Sequence, residues 1–247
     1  MDMQKRAFGV KGLRMKLIDI LYPHRCAVCD RAVLDHAVLV CEECRKTVSV
    51  IKNPRCLQCS KPLDSSEKEY CLDCQKSHHE YERGFAAFLY QGEMQESLMR
   101  FKYGGRQEYG VFYGRSLAGL ALDFFRKSRP EVLIPVPVHR SKLLRRGYNQ
   151  AEVLAEELSK RWKIPMDTEC IKRSKHTKAQ KNLTPKERRE NLMDAFEVCG
   201  KVPWKTVMIV DDIYTTGSTV DALAKKLKAA GVKQVYFITV CIGSGDS

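Results

Sequence analysis

At 247 residues the chain has room for one ordinary domain plus a smaller one. Hydrophobic residues at 44% supply a globular core, and charged residues at 30% with a mean hydropathy of −0.37 argue against a membrane protein. The net charge is +13. Residues 1–82 hold 14 Lys/Arg against 12 Asp/Glu, leaving +2, whereas residues 83–247 hold 29 against 18, leaving +11. The basic surface therefore belongs to the C-terminal part, whose expected partner is polyanionic: a phosphorylated metabolite, nucleic acid, or both.

Residues 10–21 place Val10, Leu13, Leu17, Ile20 and Leu21 at helical spacing, which predicts a short helix ended by Pro23 and packed on a neighbour. Its apolar stretch, Leu17–Tyr22, is interrupted by Asp19 and falls far short of the roughly 20 residues that span a bilayer. Basic residues recur through the first 25 positions with no small-residue cleavage site after them, so no signal peptide is expected. Eleven cysteines without an export signal point to a cytoplasmic, reducing setting and to metal ligation rather than disulfides. The expected divisions are an N-terminal helix over 1–25, a cysteine-rich domain over 26–82 and an α/β domain over 83–247.

Eight cysteines form four CxxC pairs: Cys26/Cys29, Cys41/Cys44, Cys56/Cys59 and Cys71/Cys74, each starting 15 residues after the one before. A CxxC knuckle presents two thiolates to one tetrahedral ion, and two knuckles complete a four-cysteine site, so the array suits two structural zinc ions. The regular period suggests a duplicated zinc ribbon. Pairing neighbouring knuckles closes the shortest loops and is favoured on that ground, although loop entropy penalises interleaving only weakly. Gln75–Arg83 reads as a polar linker, with His78 and His79 solvated because the cysteines already supply eight ligands. Cys170, Cys199 and Cys241 sit beside apolar residues and read as small core side chains.

From Gly84 the pattern turns α/β. Strands are expected at Phe85–Tyr90, Val132–Val136, Val207–Val210 and Gln234–Ile242. Helices are expected at Gly92–Lys102, at Glu108–Arg129, on the face carrying Ala151, Leu154, Ala155 and Leu158, and on Val220, Leu223, Ala224 and Leu227, capped by Gly231. Alternating strands and amphipathic helices predict a parallel sheet with helices on both faces. Two segments are strongly basic: Arg140, Lys142, Arg145 and Arg146 after a Pro-Val-Pro turn, and residues 171–190, with eight Lys/Arg against two Glu. The first suits phosphate contact or is a solvated helix start, and the second is long for a simple connection.

The strongest chemical signature is residues 207–219, VMIVDDIYTTGST. A buried strand runs into Asp211 and Asp212, and a loop of Thr215, Thr216, Gly217, Ser218 and Thr219 then opens a helix. Unpaired N–H groups and the helix dipole favour an anion there, the hydroxyls add donors, and Gly217 permits close approach. Adjacent acids at the carboxyl end of a strand are placed to accept hydrogen bonds from the vicinal hydroxyls of a sugar.

This segment resembles the phosphoribosyl pyrophosphate (PRPP) motif of type I phosphoribosyltransferases. From Leu17 to Ile242 the chain resembles the ComF family, associated with DNA uptake in competent bacteria. The resemblance rests on the cysteine pairs, Phe101-Lys102-Tyr103-Gly104-Gly105-Arg106, Ile134-Pro135-Val136-Pro137, Arg145-Arg146-Gly147-Tyr148-Asn149-Gln150, Thr177-Lys178-Ala179-Gln180, Arg188, Asn191 and the phosphate loop. It implies a phosphoribosyltransferase-type sheet preceded by a double zinc ribbon. Asp211 and Asp212 would contact the ribose, Thr215–Thr219 would hold the 5′-phosphate, and Val136–His139, with Arg146 nearby, would face the pyrophosphate. Magnesium would accompany PRPP, and residues 171–190 would close over the ligand.

Two functions stay open at this point. One is a phosphoribosyltransferase whose acceptor is unknown. The other is a non-catalytic adaptor that binds a nucleotide or single-stranded DNA, with the ribbons docking a competence helicase by family resemblance.

Overall fold

The computed structural model describes residues 23–35, 37–173 and 195–243. The helix expected over residues 10–21 and the basic excursion beyond Arg173 lie outside them. In chain order the elements are β1 (His24–Arg25), β2 (Ala32–Val33), α1 (Glu42–Thr47), α2 (Leu72–Lys76), β3 (Arg83–Leu89), α3 (Gly92–Tyr103), α4 (Tyr109–Leu120), α5 (Leu122–Ser128), β4 (Val132–Pro135), α6 (Arg140–Arg146), α7 (Gln150–Trp162), β5 (Ile171–Arg173), β6 (Phe196–Val198), β7 (Thr206–Tyr214), α8 (Ser218–Ala229) and β8 (Gln234–Ile242).

The main sheet has the order β3-β8-β7-β4, with every pairing parallel. Its central strands are apolar on both faces, as a sheet covered on both sides requires. Val207 and Ile209 share a core layer with Val220, Leu223, Ala224 and Leu227 of α8. Met208 and Val210 face the opposite layer, with Leu98 and Phe101 of α3, Phe112 and Leu117 of α4, and Leu154 and Leu158 of α7. The cysteine-rich segment divides the same way: Cys56 and Cys59 join the α8 layer, and Cys26 and Cys44 join the α3 layer.

Both sheet edges are covered. Along β3, Ile51 N–H donates to the Ala87 carbonyl at 2.9 Å, Gly84 N–H donates to the Gln58 carbonyl at 2.8 Å, and the Arg55 guanidinium donates to the Ala86 carbonyl at 2.8 Å. Along β4, Leu133 N–H donates to the Pro165 carbonyl and its own carbonyl accepts from Asp167 N–H, each at 2.9 Å. These contacts satisfy backbone groups that would otherwise template pairing with another chain.

Three expectations need correction. The helix expected over 108–129 is two helices, α4 and α5, broken at Ala121. The strand expected over 207–210 runs on to Tyr214, so Asp211 and Asp212 lie within it rather than at its end. Residues 75–83 are not a solvated linker: α2 occupies the start, and His79 and Tyr81 are buried. His79 is drawn inward because its ring has polar partners on both sides, whereas His78 stays less covered. Cys170 and Cys241 are core residues as expected, and Cys199 is half-buried.

Helix α4 approaches α7 closely enough that a Cβ on Gly114 would overlap the Glu157 Cβ, a position a rotamer change cannot vacate. Gly119 on the same helix faces open space. Gly119→Ala should therefore stabilise the chain by about 0.5–1 kcal/mol through helix propensity. Gly114→Ala should destabilise it by roughly 1–3 kcal/mol through overpacking. Thermal melts of the two variants should move in opposite directions.

Candidate functional site

Two clusters of four thiols stand among the described residues: Cys26, Cys29, Cys41 and Cys44, and Cys56, Cys59, Cys71 and Cys74, with the sulfurs of each within 4.8 Å of one another. Neighbouring knuckles therefore pair. A tetrahedral zinc with Zn–S bonds of about 2.3 Å has S–S edges of about 3.8 Å. Cys29 and Cys41 stand 3.8 Å apart and Cys59 and Cys71 3.6 Å apart, fitting such an edge and far too long for a disulfide. Cys41 and Cys71 are the N-caps of α1 and α2. Burial raises the Cys26 thiol, but amides of Cys29, Cys41 and Val28 outweigh that and hold it below the ordinary thiol value. The donor set is that of structural zinc.

The second site lies at the carboxyl ends of β4 and β7. Lys102 Nζ, from the end of α3, stands 2.9 Å from Asp212 Oδ1, with side chains only 15% and 10% exposed. Burial lowers the Lys102 pKa, yet the Asp212 carboxylate beside it outweighs that and raises it. Asp211 has the opposite balance. Burial and the neighbouring Asp212 charge push its carboxyl up to about 7, against the pull of Lys102 and Arg173. Asp211 Oδ1 also accepts from Asp212 N–H at 2.8 Å.

Cations surround this pair. Arg146 donates to Gln150 Oε1 and to the Tyr103 hydroxyl, each at 2.8 Å, and lies over the Tyr103 ring. Lys142 is held below its ordinary value by burial and by the charges of Arg173 and Arg146. Burial also lowers Arg173, which Asp211 partly offsets. Three buried N–H groups here, Arg146 Nε, Gln150 Nε2 and Arg173 Nε, have no hydrogen-bond partner. Four cations near two acids, with donors to spare, are an arrangement suited to a polyanion.

The loop beyond β7 forms the adjoining wall. Thr215 and Thr216 are exposed, Ser218 and Thr219 half-buried, and Thr216 Oγ1 lies 2.9 Å from Ser218 Oγ. Gly217 caps α8 with φ +80°, and a Cβ there would fall 2.5 Å from the Tyr214 hydroxyl. The need for glycine thus comes from backbone handedness and from Tyr214 beneath it, besides any approach by a ligand. Across the cleft, Val136 is buried. Its N–H donates to the Val210 carbonyl at 2.9 Å and its carbonyl accepts from Asn149 Nδ2 at 3.1 Å, tying β4, β7 and α7 together.

Asp211, Asp212, Val136, Arg146 and residues 215–219 therefore gather at one end of the sheet, as their positions after β4 and β7 dictate. Sequence reasoning placed Lys142 in a basic turn suited to phosphate contact and Arg173 in the segment expected to close over the ligand, but it gave Lys102 no role of its own. Lys102 belongs to the Phe101–Arg106 motif, which was the available signal.

Metal analysis should return two zinc ions per chain. Cys56→Ser should cost solubility and folding, because metal binding in such centres is folding energy of roughly 10–16 kcal/mol in isolated fingers. The acid pair makes a separate demand, since Asp211 titrates higher in the folded protein than in the unfolded chain. Between about pH 4 and pH 7 the folded state thus holds the extra proton, and stability falls as pH rises through that window. Asp211→Asn should raise the melting temperature at pH 8 and leave it nearly unchanged at pH 4.

Residues 17–75 match the double zinc ribbon domain family, and residues 143–246 match the phosphoribosyl transferase domain family. Competence protein F of Haemophilus influenzae is 36% identical over 148 residues, covering 56% of this chain and 63% of that protein. DNA utilization protein YhgH of Escherichia coli K12 is 33% identical over 131 residues, covering 53% and 55%. Competence protein ComFC of Bacillus subtilis is 29% identical over 163 residues, covering 62% of each. The chain thus spans less than two thirds of the length of each of these relatives. Two domain families in this order, with that identity to competence protein F and ComFC, make the chain a ComF homologue: a double zinc ribbon ahead of a phosphoribosyltransferase domain.

Proposed function

We propose that the chain acts in DNA uptake and that its C-terminal domain binds PRPP or a related ribose phosphate. The observation that carries the ligand is the acid pair Asp211–Asp212, compensated by Lys102, beside the glycine-capped N-terminus of α8 and the cations Lys142, Arg146 and Arg173. The uptake role rests on the relatives named for competence and DNA utilization. In this reading the two carboxylates accept from the ribose 2′- and 3′-hydroxyls. Amides and hydroxyls of residues 215–219 donate to the 5′-phosphate. Val136 and Arg146 face the pyrophosphate, and magnesium arrives with it, taking few protein ligands. Lys102 keeps the acid pair from repelling the incoming anion. The same arrangement serves transfer of the phosphoribosyl group if an acceptor enters, because positioning and charge neutralisation are what that reaction demands.

Calorimetry with PRPP and with ribose 5-phosphate, magnesium present, tests this. Wild type should bind both. Asp212→Asn keeps the shape and removes an acceptor charge, costing roughly 1.5–3 kcal/mol, or about a tenfold to hundredfold loss of affinity. Gly217→Val should abolish binding, because it strains a left-handed residue and displaces Tyr214. Wild-type affinity retained in both variants, or no binding to wild type, would leave the uptake role without a ribose-phosphate site. Release of pyrophosphate with candidate acceptors separates turnover from binding.

A further inference from the structure

The second zinc centre touches the phosphate loop through buried polar side chains rather than through apolar packing alone. His79 follows Cys74 by five residues, and its side chain is 4% exposed. Its Nε2 lies 3.6 Å from Cys74 Sγ, and its Nδ1 lies 2.9 Å from Asp221 Oδ2. Asp221 Oδ1 also accepts from Glu80 N–H at 2.9 Å. Asp221 sits in the first turn of α8, and its own N–H donates to the Gly217 carbonyl at 2.8 Å. One route thus runs from a cysteine ligand to the loop residue that caps the helix.

A parallel route runs through tyrosines. Tyr81 stacks on His79 with ring centroids 4.8 Å apart, and its hydroxyl lies 2.7 Å from the Tyr214 hydroxyl. Tyr214 in turn stacks on Phe237 at 4.7 Å, which fixes its ring, and its hydroxyl lies directly beneath Gly217. Tyr81 and Tyr214 are 2% and 4% exposed, so water does not substitute for either partner. A buried polar network is costly unless complete, and when complete it fixes geometry more narrowly than interchangeable apolar contacts do. Both routes end within one residue of the amides that face the 5′-phosphate in the reading above.

We infer that the second four-cysteine centre positions the phosphate loop through His79–Asp221 and Tyr81–Tyr214, so that metal at that centre and a phosphate on the loop bind cooperatively. This rests on the ribose-phosphate reading of the site. His79, Tyr81, Tyr214 and Asp221 are positioning residues: they hold the loop without touching the ligand. Because coupling between two binding equilibria is reciprocal, the ligand must strengthen metal binding by the factor by which metal strengthens ligand binding.

The test uses the full chain and ribose 5-phosphate. Competition with a zinc chelator should show one of the two zinc ions held about fivefold or more tightly when ribose 5-phosphate is saturating, the lower end of usual couplings, with the other unchanged. In cadmium-113-substituted protein, ribose 5-phosphate should shift the resonance of one four-thiolate centre and leave the other in place. The double variant Tyr81→Phe/Tyr214→Phe removes both hydroxyls together and leaves no unpaired partner, so it should fold with two zinc ions. It should bind ribose 5-phosphate severalfold more weakly and lose most of the ligand effect on zinc. His79→Phe keeps the stack on Tyr81 and should show the same loss. If wild type binds ribose 5-phosphate while neither zinc affinity nor either cadmium resonance responds, the coupling is wrong and the binding site stands. If wild type binds neither ribose 5-phosphate nor PRPP, both readings fall together.

Discussion

A parallel sheet has edges that must be closed, and closure of the β3 edge organises this molecule. The chain from the end of the first zinc centre into the first knuckle of the second runs along β3 and takes up its free backbone groups through Ile51, Arg55 and Gln58. With that segment fixed at the edge, the first centre falls on the α3 side of the sheet and the second on the α8 side. Each then reaches a different wall of the cleft. The first reaches it through Asp30, which accepts from the Tyr109 hydroxyl and from Arg106 Nε at 3.0 Å. Burial raises the Asp30 carboxyl, but Tyr109 and Arg106 outweigh it and hold it below the ordinary range. Arg106 closes the motif that begins with Phe101 and Lys102, so the ribbon steadies the turn after the site lysine. Arg100, earlier on α3, donates to the Val28 carbonyl.

The electrostatics of the cleft follow from burying two adjacent acids. Left alone, Asp211 and Asp212 would repel each other in a poorly hydrated pocket, and both would resist ionisation. Lys102 resolves half of the conflict by pairing with Asp212. Asp211 keeps the other half, with its raised pKa. Among the surrounding cations, Lys142 is disfavoured by burial and by the charges of Arg173 and Arg146, and Arg173 is disfavoured by burial. A ligand that brings hydroxyl donors at one end and negative charge at the other relieves both strains. The ribose phosphate proposed above has that pattern of donors and charge.

Much of this architecture was legible in the sequence, and the exceptions share a cause. The 15-residue cysteine period announced two four-thiolate centres, and short loop closure gave the neighbouring pairing. Gln234–Ile242 read as a strand because nine residues of mostly apolar character leave no other assignment, and it is β8. The loop from Thr215 to Thr219 was visible because its chemistry is local. What stayed hidden depends on distant partners. His79 looks like a solvated histidine until Asp221, 142 residues later, supplies its acceptor. Lys102 looks like an ordinary helix-end cation until Asp212 is placed against it. The extension of β7 past Val210 was masked because two acids rarely sit in a strand interior, and they are tolerated here because Lys102 pairs with Asp212 and the charge of Arg173 favours the ionised form of Asp211. The break at Ala121 carries neither glycine nor proline to announce it.

The distance from His79 to Asp221 also sets an order of events at the ribosome. Synthesis at about 5–20 residues per second makes the second ribbon complete roughly 7–28 s before the acceptor of His79, 142 residues later, has been polymerised. Through that interval the cysteine centres can close, since all of their ligands are already present, while His79 and Tyr81 still face water. Helix α8 is completed only after that interval and docks, with its preceding loop, onto the face that His79 and Tyr81 present. A metal centre closed in that interval offers a mould for this later-made wall of the site.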